Sequence, residues 1–248
     1  MMKRSLIAAA VIAVVFTHHA RGEEPAQAFL EGLRERGYYD IALDYLDSAA
    51  KNPALSTAFK QMIPYEKGAT LVQGAKYQRD SGLREQQLDE AQKALQQFLK
   101  EQSSSLYAVA ARSQLGNVMV ERARSRVERA KRAAASEKQT LNKQARDLYD
   151  QAGKVFASLV EELRARLKTY PAALDEKNDA KRIEERDRFR QDFLQSQLLA
   201  AAVKEETAET LTKNSKEWTQ MLTAAGDAYK KIYEDYRTRI AGLYARMY

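Results

Sequence analysis

Apolar residues fall at helical spacing along most of the chain. Tyr38, Ile41, Ala42, Tyr45, Leu46 and Ala49 stand at offsets of 3, 4, 7, 8 and 11 from the first, which puts all six on one helical face. Gly37 precedes this helix and Asn52-Pro53 ends it. Upstream, Phe29, Leu30 and Leu33 predict a partner helix over about 25–36, with Pro25 suited to its first turn. Two antiparallel helices joined at a glycine make one hairpin.

The arrangement recurs with different lengths. Residues 56–80 read as a helix broken or kinked at Pro64, and Ser81-Gly82 turns the chain into a helix over 83–101 whose face is Leu88, Ala91, Leu95, Phe98 and Leu99. Ser103, Ser104 and Ser105 form the next joint. A long helix begins near Leu106, carries Leu115, Val118 and Met119, and continues through charged sequence toward Ala135. Its return runs over about 141–168 and stops at Tyr170-Pro171, because proline disfavours helix at the residue before it. Helices over 181–211 and 215–237 follow, the first with Phe189 and Phe193 and the second with Trp218, Leu222 and Tyr233 among their apolar residues. No segment alternates apolar and polar residues between turn signals, and the 4 prolines and 10 glycines gather mostly at joints. The expected fold is all-α, with about eight helices in four hairpins.

Four second helices share a triplet of small, large and small or large residues at offsets 0, 4 and 7: Ala42/Leu46/Ala49, Ala91/Leu95/Phe98, Ala145/Tyr149/Ala152 and Ala225/Tyr229/Ile232. This resembles the second helix of the tetratricopeptide repeat, in which the first alanine admits close helix approach and the large residue fills the gap. Leu115-Gly116 followed by Met119 is similar to the Leu-Gly-x-x-Tyr segment of that family's first helix, although Arg112 holds the tryptophan position. Successive triplets are separated by 49, 54 and 80 residues, whereas the family period is about 34. The resemblance implies antiparallel hairpins stacked as an α-superhelix that binds a peptide or protein on its concave face. A long-helix bundle is the alternative.

The N-terminus changes the expected compartment. Lys3 and Arg4, the apolar run over 6–16 and the Ala20-Arg21-Gly22 segment make an export signal, residues 1–22, with cleavage after Gly22. The run is too short to span a bilayer, which needs about 20 residues. The expected product, 23–248, is exported to the periplasm or the extracellular space, with no transmembrane segment. It has no cysteine, so it folds by burial alone. Loss of Lys3, Arg4 and Arg21 lowers the formal charge from +7 to +4, which is not the signature of a nucleic-acid binder.

Two surfaces are candidates for contact. Ile240, Leu243, Tyr244, Met247 and Tyr248 begin an amphipathic helix without a closing signal, so the repeat array is expected to be incomplete at this end or to dock there on another chain, a second copy included. Arg122, Arg124, Arg126, Arg129, Lys131 and Arg132 form a basic run, read either as a spur for an anionic envelope surface or as a solvated helix extension. The thirteen tyrosines suit packing, with Tyr38, Tyr39 and Tyr107 near helix starts as candidates for lining a peptide groove.

Catalysis is largely excluded by residue type. The only histidines, His18 and His19, lie inside the signal, so a Ser-His-Asp triad, a cysteine nucleophile and an ordinary zinc site have no residues to use. Neither glycine-rich phosphate loop occurs. Carboxylate chemistry of the glycan-cleaving kind survives elimination, but the acidic residues all read as lying in charged, solvent-like surroundings. No catalytic residue, metal or cofactor is expected. The function expected is a non-catalytic interaction scaffold for a protein or peptide partner in the cell envelope. The alternative is an N-terminal positioning module of a longer exported protein, such as a cell-wall enzyme or assembly factor.

Overall fold

In the computed structural model, residues 23–247 are described; the expected export signal and Tyr248 lie outside the described residues. Among the described residues the chain forms nine helices and no strand: α1 (Glu23–Glu35), α2 (Tyr39–Lys51), α3 (Thr57–Ala75), α4 (Ser81–Glu101), α5 (Ala108–Ala130), α6 (Ala135–Lys168), α7 (Ala180–Ala208), α8 (Lys216–Asp235) and α9 (Ile240–Ala245).

Local chemistry sets several of these boundaries. Ser56 and Ser215 accept from Phe59 N–H and Trp218 N–H at 3.1 Å, and Asp80 accepts from Leu83 N–H at 2.8 Å, so α3, α8 and α4 each start on a side-chain cap. α1 ends on Gly37 in the left-handed region (φ 75°), where Gly37 N–H donates to Arg34 O and Tyr38 N–H to Leu33 O. That paired closure needs a residue without a Cβ penalty.

Three expected boundaries are corrected. Pro64 does not break α3, which runs through it. An interior proline costs about 3 kcal/mol, but Phe59 and Ile63 before it and Leu71, Val72 and Ala75 after it are anchored in two different cores. Burial of even two such side chains, at roughly 1.5–3 kcal/mol each, offsets that cost. The long fifth helix stops at Ala130 instead of continuing toward Ala135, and its return begins at Ala135, six residues before Leu141.

Helices pack in chain order. Each lies against its sequence neighbour, and α3, α5, α7 and α9 also touch in succession, whereas no even-numbered helix packs appreciably on another. The apolar clusters follow the same order. One joins α1, α2 and the first half of α3 around Leu30, Leu46 and Phe59; the next joins α3, α4 and α5 around Leu88, Leu95 and Phe98. A third joins α5, α6 and α7 around Tyr149, Phe156 and Leu163, and the last joins α7, α8 and α9 around Ala201, Tyr229 and Ile232. α3, α5 and α7 thus serve two cores each.

The triplet residues Ala42, Leu46, Ala49, Ala91, Leu95, Phe98, Ala145, Tyr149, Ala152, Ala225, Tyr229 and Ile232 are all buried, as is Gly116, while Leu115 is half-buried. Two glycines set hairpin closeness. A Cβ on Gly68 of α3 would come within 2.5 Å of Leu95 in α4, and one on Gly116 of α5 within 2.6 Å of Phe156 in α6. Phe156 is the middle of a second triplet, Ala152/Phe156/Leu159, so the large residue set against Gly116 is Phe156 and not Tyr149.

Candidate functional site: hollows along the odd-numbered helices

Two hollows lie along the surface where α1, α3, α5 and α7 succeed one another. The first, about 320 Å³, is bounded by Gln27 and Glu31 of α1, Phe59, Met62 and Glu66 of α3, and Tyr107. The second, about 240 Å³, lies between Tyr65 of α3, Gln114 of α5 and Arg188, Asp192 and Gln195 of α7, again with Tyr107 in its wall. Tyr107 stands just ahead of α5 and separates the two.

The first hollow is closed behind by a buried ion pair. Arg34 of α1 reaches across to Glu66 Oε2 at 2.7 Å, and its guanidinium also donates to Thr70 Oγ1 and to the Glu66 carbonyl oxygen. The two side chains are only 11% and 4% exposed, so each charge depends on the other and on these added hydrogen bonds. The pair fixes α1 on α3.

The second hollow is aromatic and polar. Tyr65 lies with its ring centroid 5.6 Å from those of both Phe98 and Tyr107, and burial first, then the nearby carboxylates, push its hydroxyl well above the ordinary tyrosine range. The Arg188 guanidinium sits 4.2 Å from the centre of the Tyr107 ring. Asp192, one turn farther along α7, has an Oδ2 shielded from solvent and without a hydrogen-bond partner. Burial raises its carboxyl to about 6, against the opposing pull of Arg188. The expectation that every acidic residue lies in solvent-like surroundings therefore fails for Asp192, and equally for the buried Glu66 and Glu121.

Of the tyrosines expected to line a groove, Tyr107 lines both hollows. Tyr39 stacks on Tyr77 in a separate shallow hollow beside Gly37 and Gly74, and Tyr38 is exposed. Tyr65, Arg188 and Asp192 are not among the site residues expected from sequence.

Arg122, Arg124 and Arg126 of the basic run are held against neighbouring helices and do not project as a spur. Arg122 pairs with Glu85 at 3.0 Å and with Asp89, and Arg126 pairs with Glu85 at 3.1 Å, which stitches α5 to α4. Arg124 turns the other way, to Glu206 of α7 and Glu121 of its own helix. Arg129 lies 3.9 Å from Glu137, and Lys131 and Arg132 occupy the exposed turn before α6. Complementary charges on three neighbouring helices hold these arginines down. At the other candidate surface, Leu243, Tyr244 and Met247 are exposed, while Ala245 is buried with Ala225, Tyr229 and Ile232; Tyr248 and the Ile240 side chain lie outside the described residues.

Among the described residues no cluster of three or more histidine, cysteine or acidic side chains could hold a metal, and no helix is long and apolar enough to cross a membrane. The chain matches no family model, and comparison with the curated proteins and with the solved structures finds no match to it.

Proposed function

We propose that this protein is an exported, non-catalytic scaffold of the tetratricopeptide-like kind, which holds a peptide or protein of the cell envelope along its odd-numbered helices. The observation that carries the reading is the succession of two hollows that share Tyr107 on the side where α1, α3, α5 and α7 meet. In a stack of hairpins, one member of each pair faces inward and lines the common groove. Interfaces favour aromatic side chains beside adaptable polar ones, which is the character of Tyr65 and Tyr107 with Gln114 and Gln195. The absence of histidine and cysteine after His19 supports a binding role over a chemical one.

Photo-crosslinking in the host tests this. A crosslinking amino acid at Gln114 or Gln195 in the hollow is expected to capture an envelope protein in discrete bands, and one at Gln97 on the outer face of α4 is not. Equal labelling from both faces, or none from the hollow, defeats the proposal. Export is checked by the intact mass of the native product, expected to begin at Glu23. Clearing of a cell-wall suspension by the purified protein would overturn the non-catalytic part.

A further inference from the structure

The hollow between α3, α5 and α7 contains a carboxylate in search of a counter-ion. Asp192 Oδ2 is shielded and unpartnered, yet the nearest cation does not use it: Arg188 places its guanidinium over the Tyr107 ring instead. Other polar groups in the wall, including Gln114, Gln195 and Ser196, are neutral. At about 240 Å³ the space is below the usual size of a small-molecule site, roughly 300–1,000 Å³, and suits one long side chain.

We propose that this hollow receives the cationic side chain, lysine or arginine, of a bound peptide, with the Asp192 carboxylate as its counter-ion and the Tyr65 and Tyr107 rings beside its stem. The inference rests on the reading of this face as a peptide groove and names what that groove selects. A carboxylate and two rings are the complement of a cation on an apolar stem. An anionic ligand would share the hollow with the Asp192 carboxylate. A neutral ligand would leave a half-buried carboxylate unpaired, at the desolvation cost that already raises its protonation range.

Titration adds a second signature. The titratable and charged groups that face Asp192 are Arg188 from its own helix, Tyr65 from α3 and Tyr107 ahead of α5. The Asp192 carboxyl, raised to about 6 by burial, takes up a proton as the pH is lowered through that value, so selectivity for a cation falls.

The test uses fluorescein-labelled hexapeptide mixtures with one central position fixed as lysine, arginine, norleucine or glutamate and all others drawn from uncharged residues. Binding is measured by anisotropy at pH 7.5 and pH 5, with the protein and with its Asp192→Asn and Tyr107→Leu variants, each checked for helicity by circular dichroism. The expected result is tenfold or greater preference for the lysine and arginine mixtures over norleucine at pH 7.5. That preference shrinks to under threefold at pH 5 and in Asp192→Asn, and is reduced in Tyr107→Leu. Equal binding of all mixtures, or preference for glutamate, overturns the cation site while leaving the peptide groove standing. Selectivity retained in Asp192→Asn assigns the cation to another place and overturns it too. If no mixture binds at any pH, the groove reading falls and takes the cation site with it.

Discussion

Tyr149 donates its hydroxyl to Glu206 Oε2 at 2.9 Å, and Arg124 Nε donates to the same oxygen at 2.8 Å. One carboxylate of α7 therefore gathers α5 and α6, and Arg124 extends the knot to the buried Glu121. Burial, then the neighbouring Glu206, push the tyrosine hydroxyl far above its ordinary range, so it remains a donor at every physiological pH. Tyr149→Phe keeps the ring and removes that bond. A hydrogen bond to a charged group contributes about 1.5–3 kcal/mol, and because Arg124 remains as a partner, a loss of about 1–2 kcal/mol in urea unfolding is expected. An unchanged midpoint would show that the bond contributes nothing.

Glycine substitutions separate helix propensity from packing. Gly116→Ala gains about 1 kcal/mol of propensity but drives a methyl into the Phe156 ring, and overpacking of this kind costs about 1–3 kcal/mol or more. Net destabilisation is expected. Gly226→Ala in α8 meets nothing within 4 Å and should stabilise by about 0.5–1 kcal/mol. Thermal melts of the two variants should shift in opposite directions.

The Arg34 and Glu66 pair gives a third expectation. Arg34→Met strands a carboxylate that is 4% exposed, and breaking a buried pair in this way costs about 3–5 kcal/mol. Adding Glu66→Leu removes the stranded charge and should recover most of the loss. A double variant no more stable than Arg34→Met would mean that α1 is held by contacts other than this pair.

Asp192 makes stability depend on pH in a direction opposite to most carboxylates. Its folded-state value, about 6, lies above the ordinary 3.8, so the folded protein binds the proton more tightly than the unfolded chain does. Stability from this group is full below about pH 4 and is lost as the pH rises through 6. Asp192→Asn removes the cost of the buried charge. The variant should be more stable than the parent at pH 7.5, by about 1–2 kcal/mol after allowance for partial exposure, and should lose that advantage at pH 4. Equal differences at both pH values would show that the carboxylate is not desolvated.

Glu162 of α6 behaves in the usual sense. Burial pushes its carboxyl up, but the hydrogen bond and charge of Arg112 at 2.8 Å, joined by Arg166, outweigh that and leave it below the ordinary range. Its contribution is present at neutral pH and is lost on acidification through its lowered titration range. Glu162→Gln should therefore lower the melting temperature at pH 7 and narrow the gap to the parent at pH 3.

Helical period was legible at Ala42, Leu46 and Ala49 because one face of one helix carries that information. Partner identity was not. α6 offers overlapping triplets, Ala145/Tyr149/Ala152 and Ala152/Phe156/Leu159, and the choice between them rests on Gly116 of a different helix. That α3 continues through Pro64 was not legible, because the anchoring on either side of it is tertiary. The basic run carried a usable signal: Arg122 and Arg126 repeat the spacing of Glu85 and Asp89, so two stripes of opposite sign could have been matched. Asp192 gave none, since Arg188, Arg190 and Gln191 beside it are charged or polar and carry no mark of burial. Only the approach of α3 and α5 half-buries that carboxylate.

Cores that each span three consecutive helices give the molecule the mechanics of a leaf spring. Among the described residues α1 and α9 share no substantial contact, so a small rotation between one hairpin and the next strains a single seam, and several such rotations add along the chain. The separation of α1 from α7 across Tyr107 is then the soft coordinate. If the proposed peptide binds there, a guest that bridges the two hollows would stiffen it and leave Phe98, Phe156 and Tyr229 undisturbed in their separate cores.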